Sequence, residues 1–272
     1  MDNRPIGFFD SGLGGLTCIP YLTKALPEER IIYFGDTART PYGSKSASTI
    51  RRFSYEVADF LVESDVKMIA IACNTVSSVA LNDLRERHPD IPILGIISPA
   101  SHTVAKTCTA DDRIGIIGTK ATIHSGAYLD KIRSYRADLD IYQTACPAFV
   151  PLIEEGILQN DIMDLTIRYY LDQFISYNGI DVLVLGCTHY PLIRRNITKL
   201  YGGLRIIDPS EEMLLSIRDA LSRHGLFAES GGENIFYASD LSENFVNMIN
   251  RIFAGTGSRV TFKNFDLEEY GR

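Results

Sequence analysis

An α/β protein of two similar parallel-sheet domains is implied by three features of the chain. Short apolar runs alternate with amphipathic stretches along most of its 272 residues, the pattern of parallel strands joined by right-handed helical crossovers. A set of short motifs occurs twice, in one order and at nearly one offset, as expected of a pseudo-twofold duplication. Pro99 and Pro209 fall at matching points of the two copies and read as crossings between the domains. The first domain is therefore expected over 1–98 plus 209–272 and the second over 99–208, with the active site in the cleft between them.

Taken in order, strands are expected near 5–9, 30–34, 67–72 and 93–97, then near 113–117, 138–143, 181–185 and 204–207. Most are continuously apolar, as strands buried on both faces must be. In 47–62, Ile50, Phe53, Val57, Phe60 and Leu61 mark one helix face, and Ser46 or Ser48 is placed to cap it. Further helices are expected near 75–87, 121–135, 161–176, 190–200, 210–223 and 241–253. The repeat aligns RPIGFFDS (4–11) with DRIGIIGT (112–119), KMIAIACNTVSS (67–78) with DVLVLGCTHYP (181–191), and GIISPA (95–100) with RIIDPS (205–210). No stretch reads as a long linker or as low-complexity sequence.

Composition narrows the function. Hydrophobic residues make up 45% and charged residues 22%, ordinary for a globular chain, and the net charge of −7 argues against a nucleic-acid or anionic-membrane surface. The start, MDNRPIGFFD, lacks the basic and apolar regions of a signal peptide, and no apolar run approaches a membrane span. A cytoplasmic protein is expected, with a homodimer as its assembly. Five cysteines without a C-x-x-C pair fit neither a disulfide framework nor a zinc site, so no metal is expected.

Two cysteines stand apart from the other three. Cys73 and Cys187 each follow an apolar strand and precede small hydroxyl residues, which places both at the carboxyl ends of strands, where open α/β sheets bind ligands. A single nucleophilic cysteine would leave the other unexplained. Two thiols facing one cleft suit a different chemistry. One thiolate removes a proton from a carbon, and the opposite thiol returns a proton on the other face, inverting the centre. Asp10, in FFDSGLGG, is placed to assist Cys73, and His189 to assist Cys187. The glycines of DSGLGGLT do not form G-x-G-x-x-G, because Thr17 occupies the third glycine position, and they read as a tight turn that lets a small ligand approach the backbone. Ser11, Asn74, Thr75, Thr119, Thr122 and Thr188 lie at strand ends or first helical turns. Singly each would be a helix cap, but together they offer hydroxyl, amide and backbone N–H groups to an amino-acid zwitterion.

DSGLGG (10–15), GDTARTPYG (35–43), CNTVS (73–77), IGIIGTKATIHSGAY (114–128), FVPLIEEG (149–156) and LGCTHYPL (185–192) together resemble the bacterial glutamate racemases, from residue 6 to about 210. The resemblance implies interconversion of L- and D-glutamate without a cofactor, D-glutamate being destined for peptidoglycan. It implies Cys73 and Cys187 as the two bases, assisted by Asp10 and His189. Ser11, Asn74, Thr75, Thr119, Thr122 and Thr188 would contact the amino and α-carboxylate groups, and Pro41, Tyr42 and Gly43 would hold the side-chain carboxylate. An acidic residue of LIEEG belongs to the family's site, and between Glu154 and Glu155 the assignment leans to Glu155. Longer family members carry an N-terminal extension tied to activation by a cell-wall precursor. With its first strand expected so near Met1, the resemblance does not carry that regulation over to this chain.

Other readings differ in testable ways. An aspartate racemase of the same superfamily would turn over aspartate, although the PYG loop favours glutamate. A single-cysteine lyase or decarboxylase of similar fold would not need both Cys-Thr segments. A binding role toward DNA gyrase, reported for some members of the family, would appear in a pull-down.

Overall fold

The computed structural model describes residues 1–255 and 257–265. Its strands are β1 (Ile6–Asp10), β2 (Ile31–Gly35), β3 (Met68–Ile71), β4 (Ile93–Gly95), β5 (Arg113–Gly118), β6 (Asp140–Ala145), β7 (Val182–Gly186), β8 (Arg205–Ile207), β9 (Asn234–Ala238) and β10 (Val260–Asn264). They form two sheets, of order β10-β9-β2-β1-β3-β4 and β6-β5-β7-β8, and every pairing is parallel. Within each sheet the four repeated strands stand in the same order, second, first, third, fourth, so the duplication read from short motifs is also one of topology.

The helices are α1 (Ile19–Ala25), α2 (Ala47–Glu63), α3 (Asn74–Val79), α4 (Leu81–Arg87), α5 (Ile97–Thr107), α6 (Lys120–His124), α7 (Ala127–Tyr135), α8 (Phe149–Glu154), α9 (Asp161–Asn178), α10 (Arg194–Leu200), α11 (Pro209–His224) and α12 (Glu243–Phe253). Strand side chains alternate between three cores. Ile6 and Phe8 of β1, Ile114 and Ile116 of β5, and Val182 and Val184 of β7 enter one core with residues of α5, α7 and α11, which joins the inner faces of both sheets. Phe9, Ile69 and Ile71 pack beneath α2 on the outer face of the first sheet, and Ile117, Leu183 and Leu185 beneath α8 and α9 on the outer face of the second. Being buried on both faces is what made these strands uniformly apolar.

Several expected helices differ in detail. The one near 75–87 is two, because Ala80 leaves helical geometry at φ −122° and ψ −6°. The one near 121–135 is broken at Gly126, whose left-handed φ of +68° suits glycine. The one near 190–200 opens with a 3₁₀ turn over Tyr190–Ile193. Ser46 rather than Ser48 caps α2, accepting from Thr49 N–H. Pro99 lies in the first turn of α5, where a proline costs no helical hydrogen bond, and α5 packs against α11. Pro209 is the first residue of α11, behind the cap Asp208, whose Oδ1 accepts from Ser210 N–H at 2.9 Å.

Candidate active site

The site is assembled at the carboxyl ends of β1 and β3 from one sheet and of β5 and β7 from the other. Asp10 is the last residue of β1, Cys73 follows β3 at the position just before α3, Thr119 follows β5 and caps α6, and Cys187 follows β7. Thr75 Oγ1 lies 3.0 Å from Thr119 Oγ1 and 3.4 Å from Thr122 Oγ1, and the latter two are 3.0 Å apart, a hydroxyl cluster drawn from both sheets. A second link crosses the same seam, where Thr188 Oγ1 donates to Asp10 Oδ1 at 3.3 Å. Both cysteines are buried free thiols.

The surroundings of the two thiols have opposite charge. Cys73 donates to Ser11 Oγ at 3.5 Å, and burial, reinforced by the charge of Asp10, pushes its thiol up to about 12. Asp10 itself is fully buried. Burial raises its carboxyl to about 6, against the charge of His189 and the N–H groups of Gly15 and Gly12, the latter at 3.1 Å from Oδ2. Its hydrogen bonds run to Gly12, Gly15 and Thr188 and not to Cys73, which therefore feels Asp10 through its charge. Cys187 Sγ instead lies 3.9 Å from His189 Nδ1, and His189 Nε2 lies 2.5 Å from Glu154 Oε1. Burial alone would lower the imidazole, but its bonds to Cys187 and Glu154 more than offset this and raise it to about 10, so it is an imidazolium at neutral pH.

Glu154, not Glu155, is the carboxylate that reaches the site. Glu154 ends α8 and meets His189, whereas Glu155 is the exposed residue beyond the helix. The two adjacent glutamates differ only in helical phase, and one position turns a side chain by about 100°. The Pro41–Gly43 segment also differs from expectation in which atoms it can offer. Tyr42 is buried, with its hydroxyl bonded to Asp36 Oδ2, and Asp36 also accepts from Arg39 Nε at 2.6 Å and Ser239 Oγ at 2.7 Å. What Tyr42 and Gly43 present is therefore backbone, and a Cβ at Gly43 would come within 2.4 Å of Thr119 Cβ.

The glycine-rich turn has a reason other than open approach for a ligand. A Cβ at Gly14 would lie 2.3 Å from Thr188 Oγ1 and 2.5 Å from His189 Nδ1, and one at Gly15 would lie 2.5 Å from Asp10 Cβ. These glycines let the 3₁₀ turn over Gly14–Cys18 pack directly on the site's side chains. Three other residues escaped the sequence reading. Tyr128 donates to Asn74 Oδ1 at 2.6 Å and fixes that amide. Asn74 Nδ2 is then buried with no hydrogen-bond partner, as is Thr40 Oγ1. Tyr33 donates to Gly12 O at 2.8 Å beneath Asp10. Tyr128 carried a signal, since it closes the same motif as Thr119. Thr40 likewise lies in the motif GDTARTPYG, whereas Tyr33, within β2, carried none.

Among the described residues no group of three His, Cys, Asp or Glu side chains is arranged to hold a metal ion, and no helix is long and apolar enough to cross a membrane.

Residues 17–214 match the family model described as Asp/Glu/Hydantoin racemase. The chain is 44% identical over 249 residues to the glutamate racemase of Sulfurihydrogenibium sp. (strain YO3AOP1), covering 91% of this chain and 93% of the relative. It is 42% identical over 258 residues to that of Geobacter metallireducens (strain ATCC 53774 / DSM 7210 / GS-15), covering 94% of each. The crystal structure of glutamate racemase from Francisella tularensis subsp. tularensis SCHU S4 in complex with D-glutamate superposes with a TM-score of 0.90 at 36% identity, over 99% of this chain and 100% of that one. Twin sheets of one strand order, a thiol at the end of the third strand in each, and likeness along nearly the whole length agree: the chain belongs to the Asp/Glu/hydantoin racemase family, on its glutamate racemase branch, and is an amino-acid racemase.

Proposed function

We propose that this racemase interconverts L- and D-glutamate by a cofactor-independent two-base reaction, with Cys73 and Cys187 acting from opposite faces of the α-carbon, and that its D-glutamate serves peptidoglycan synthesis. The observation that carries the mechanism is the matched pair: the repeat sets one buried thiol after β3 and one after β7, on the two sides of a seam crossed by Thr75–Thr119 and Asp10–Thr188. One cysteine, as thiolate, takes the α-proton, and the electron pair left on carbon delocalises into the substrate carboxylate. The other cysteine, as thiol, donates its proton to the opposite face. The product leaves the two protonation states exchanged, ready for the reverse reaction.

Unequal surroundings give the thiols unequal helpers. The His189 imidazolium would stabilise a Cys187 thiolate, and Glu154 holds the imidazole in orientation. Ionised Asp10, which accepts every hydrogen bond it makes, would strengthen Cys73 as a base once its proton has gone. Ser11, Asn74 Nδ2, Thr75, Thr119, Thr122 and Thr188 would contact the amino-acid head group, and the backbone at Tyr42 and Gly43 the distal carboxylate. Support for glutamate comes from relatives bearing that name and from the glutamate-bound neighbour. The test is circular dichroism of D-glutamate incubated with reduced enzyme and no pyridoxal phosphate. Decay of the signal to zero supports the reaction. A static signal, or faster decay with D-aspartate, refutes the assignment to glutamate.

A further inference from the structure

We propose that a basic cavity at the seam between the two sheets is the entry vestibule for the anionic amino-acid substrate, an inference that rests on the glutamate reading and deepens it. The cavity holds about 550 Å³, and its walls come from residues 43–51 and Ser78–Val79 on one side and residues 120–125 on the other. Lys45, Arg51, Lys120 and His124 line it, and among the described residues no carboxylate does. On a chain of net charge −7 that is a local reversal of sign. Arg51 is partly neutralised, since its Nε donates to Asp83 Oδ2 at 2.6 Å. Lys45 and Lys120 form no ion pair among the described residues, so both charges remain to act on whatever enters.

The cavity shares part of its lining with a smaller pocket that lies against the seam hydroxyls. This pocket, of about 70 Å³, is bounded by Pro41, Thr119, Cys146, Pro147 and Val150, and Gly43, Ser44 and Lys120 line both. Lys120 borders both, one residue beyond Thr119 of the hydroxyl cluster. A substrate moving from the cavity toward Thr119 would leave a cationic chamber and meet the seam hydroxyls.

Electrostatics explains why such a chamber is needed. At neutral pH glutamate carries two carboxylates and one ammonium, hence one net negative charge. The site interior sets two carboxylates, Asp10 and Glu154, against the single imidazolium of His189, which repels an anion. Cations at the mouth of a low-dielectric cleft offset that repulsion and concentrate anions there.

The test is titration calorimetry of L-glutamate into reduced enzyme at low and high salt, with wild type, Lys45→Gln, Lys120→Gln and the double variant, alongside racemase kinetics. Each neutralisation should weaken binding about two- to five-fold, the size of a solvent-accessible charge interaction. The double variant should lose most of the salt dependence, and kcat should stay within about two-fold, since neither lysine touches the reacting atoms. Lys120→Arg should bind as wild type does. An unchanged Kd and salt slope in the double variant overturn the vestibule, as does a wild type whose glutamate affinity ignores salt. Salt-dependent binding without racemisation would sink the reaction proposed for glutamate and leave the vestibule standing, so the two failures are distinguishable.

Discussion

His189 and Glu154 meet at 2.5 Å, Nε2 to Oε1, while the other face of the same imidazole looks at Cys187 Sγ from 3.9 Å. A histidine held this way is charged far above its ordinary range, at about 10 against 6.5. Because the folded value is the raised one, its stabilising effect is complete below about 6.5 and is lost as pH rises through about 10. Glu154→Gln removes one of the two supports. The basic limb of kcat/KM should move to lower pH and kcat should fall roughly 10- to 100-fold, as when a group that orients a working histidine is lost. Glu155→Gln should change neither, which separates the two glutamates in one pH series.

Asp10 should set the acid limb. Its carboxyl is raised to about 6, so below that pH it is protonated and can no longer accept from both Gly12 and Thr188 as an anion. Activity should rise with pH through about 6, and Asp10→Asn should abolish that limb. Asp10→Asn and His189→Asn should also slow kcat unequally in the two directions, since in the proposed reaction each serves a different cysteine. The equilibrium constant ties the two kcat/KM values together, so kcat in each direction is the informative quantity. Wild-type kcat values in both variants would remove these residues from the mechanism.

The glycine turn predicts a loss of function without loss of fold. At Gly14 a methyl group would sit 2.3 Å from Thr188 Oγ1 and 2.5 Å from His189 Nδ1, so both must shift. Gly14→Ala should cost about 1–3 kcal/mol of stability, the usual range for overpacking. It should lower kcat at least about tenfold through displacement of His189. Thermal unfolding and steady-state kinetics on one preparation check both numbers. Gly156→Ala serves as the contrast: it has a φ of +74° and nothing within 4 Å, so it should strain the backbone and leave kcat alone.

How much of this was legible in the sequence depends on where each residue's constraint comes from. The inner repeated strands β1, β2, β3, β5 and β7 announced themselves because both their faces are buried, so apolar runs such as Val182–Leu185 could be little else. Strands β9 and β10 did not: β10 is an edge strand that ends in Lys263 and Asn264, both exposed, and so lacks the apolar run of a buried strand. Helix α5 was hidden by Pro99, a breaker in mid-helix but harmless in a first turn. The cysteines, Asp10 and His189 were visible because strand ends concentrate chemistry. Glu154 was not separable from Glu155, because helical phase at the last turn of a six-residue helix depends on tertiary packing.

A liganded structure carries a geometric prediction. Donor and acceptor must flank one α-carbon at about 3–4 Å each, so the two sulfurs should be about 6–8 Å apart with that carbon between them. A disulfide between Cys73 and Cys187, or sulfurs more than about 12 Å apart around a bound amino acid, is incompatible with proton transfer from both faces.

The central claim is tested most directly by racemisation of D-glutamate followed by circular dichroism in Cys73→Ser and Cys187→Ser, each checked for folding. Inversion needs a proton acceptor and a proton donor together, and serine is a far weaker acid than cysteine. Each variant should therefore lose about 10²- to 10⁴-fold in turnover. Near wild-type turnover in either one would contradict the two-base account.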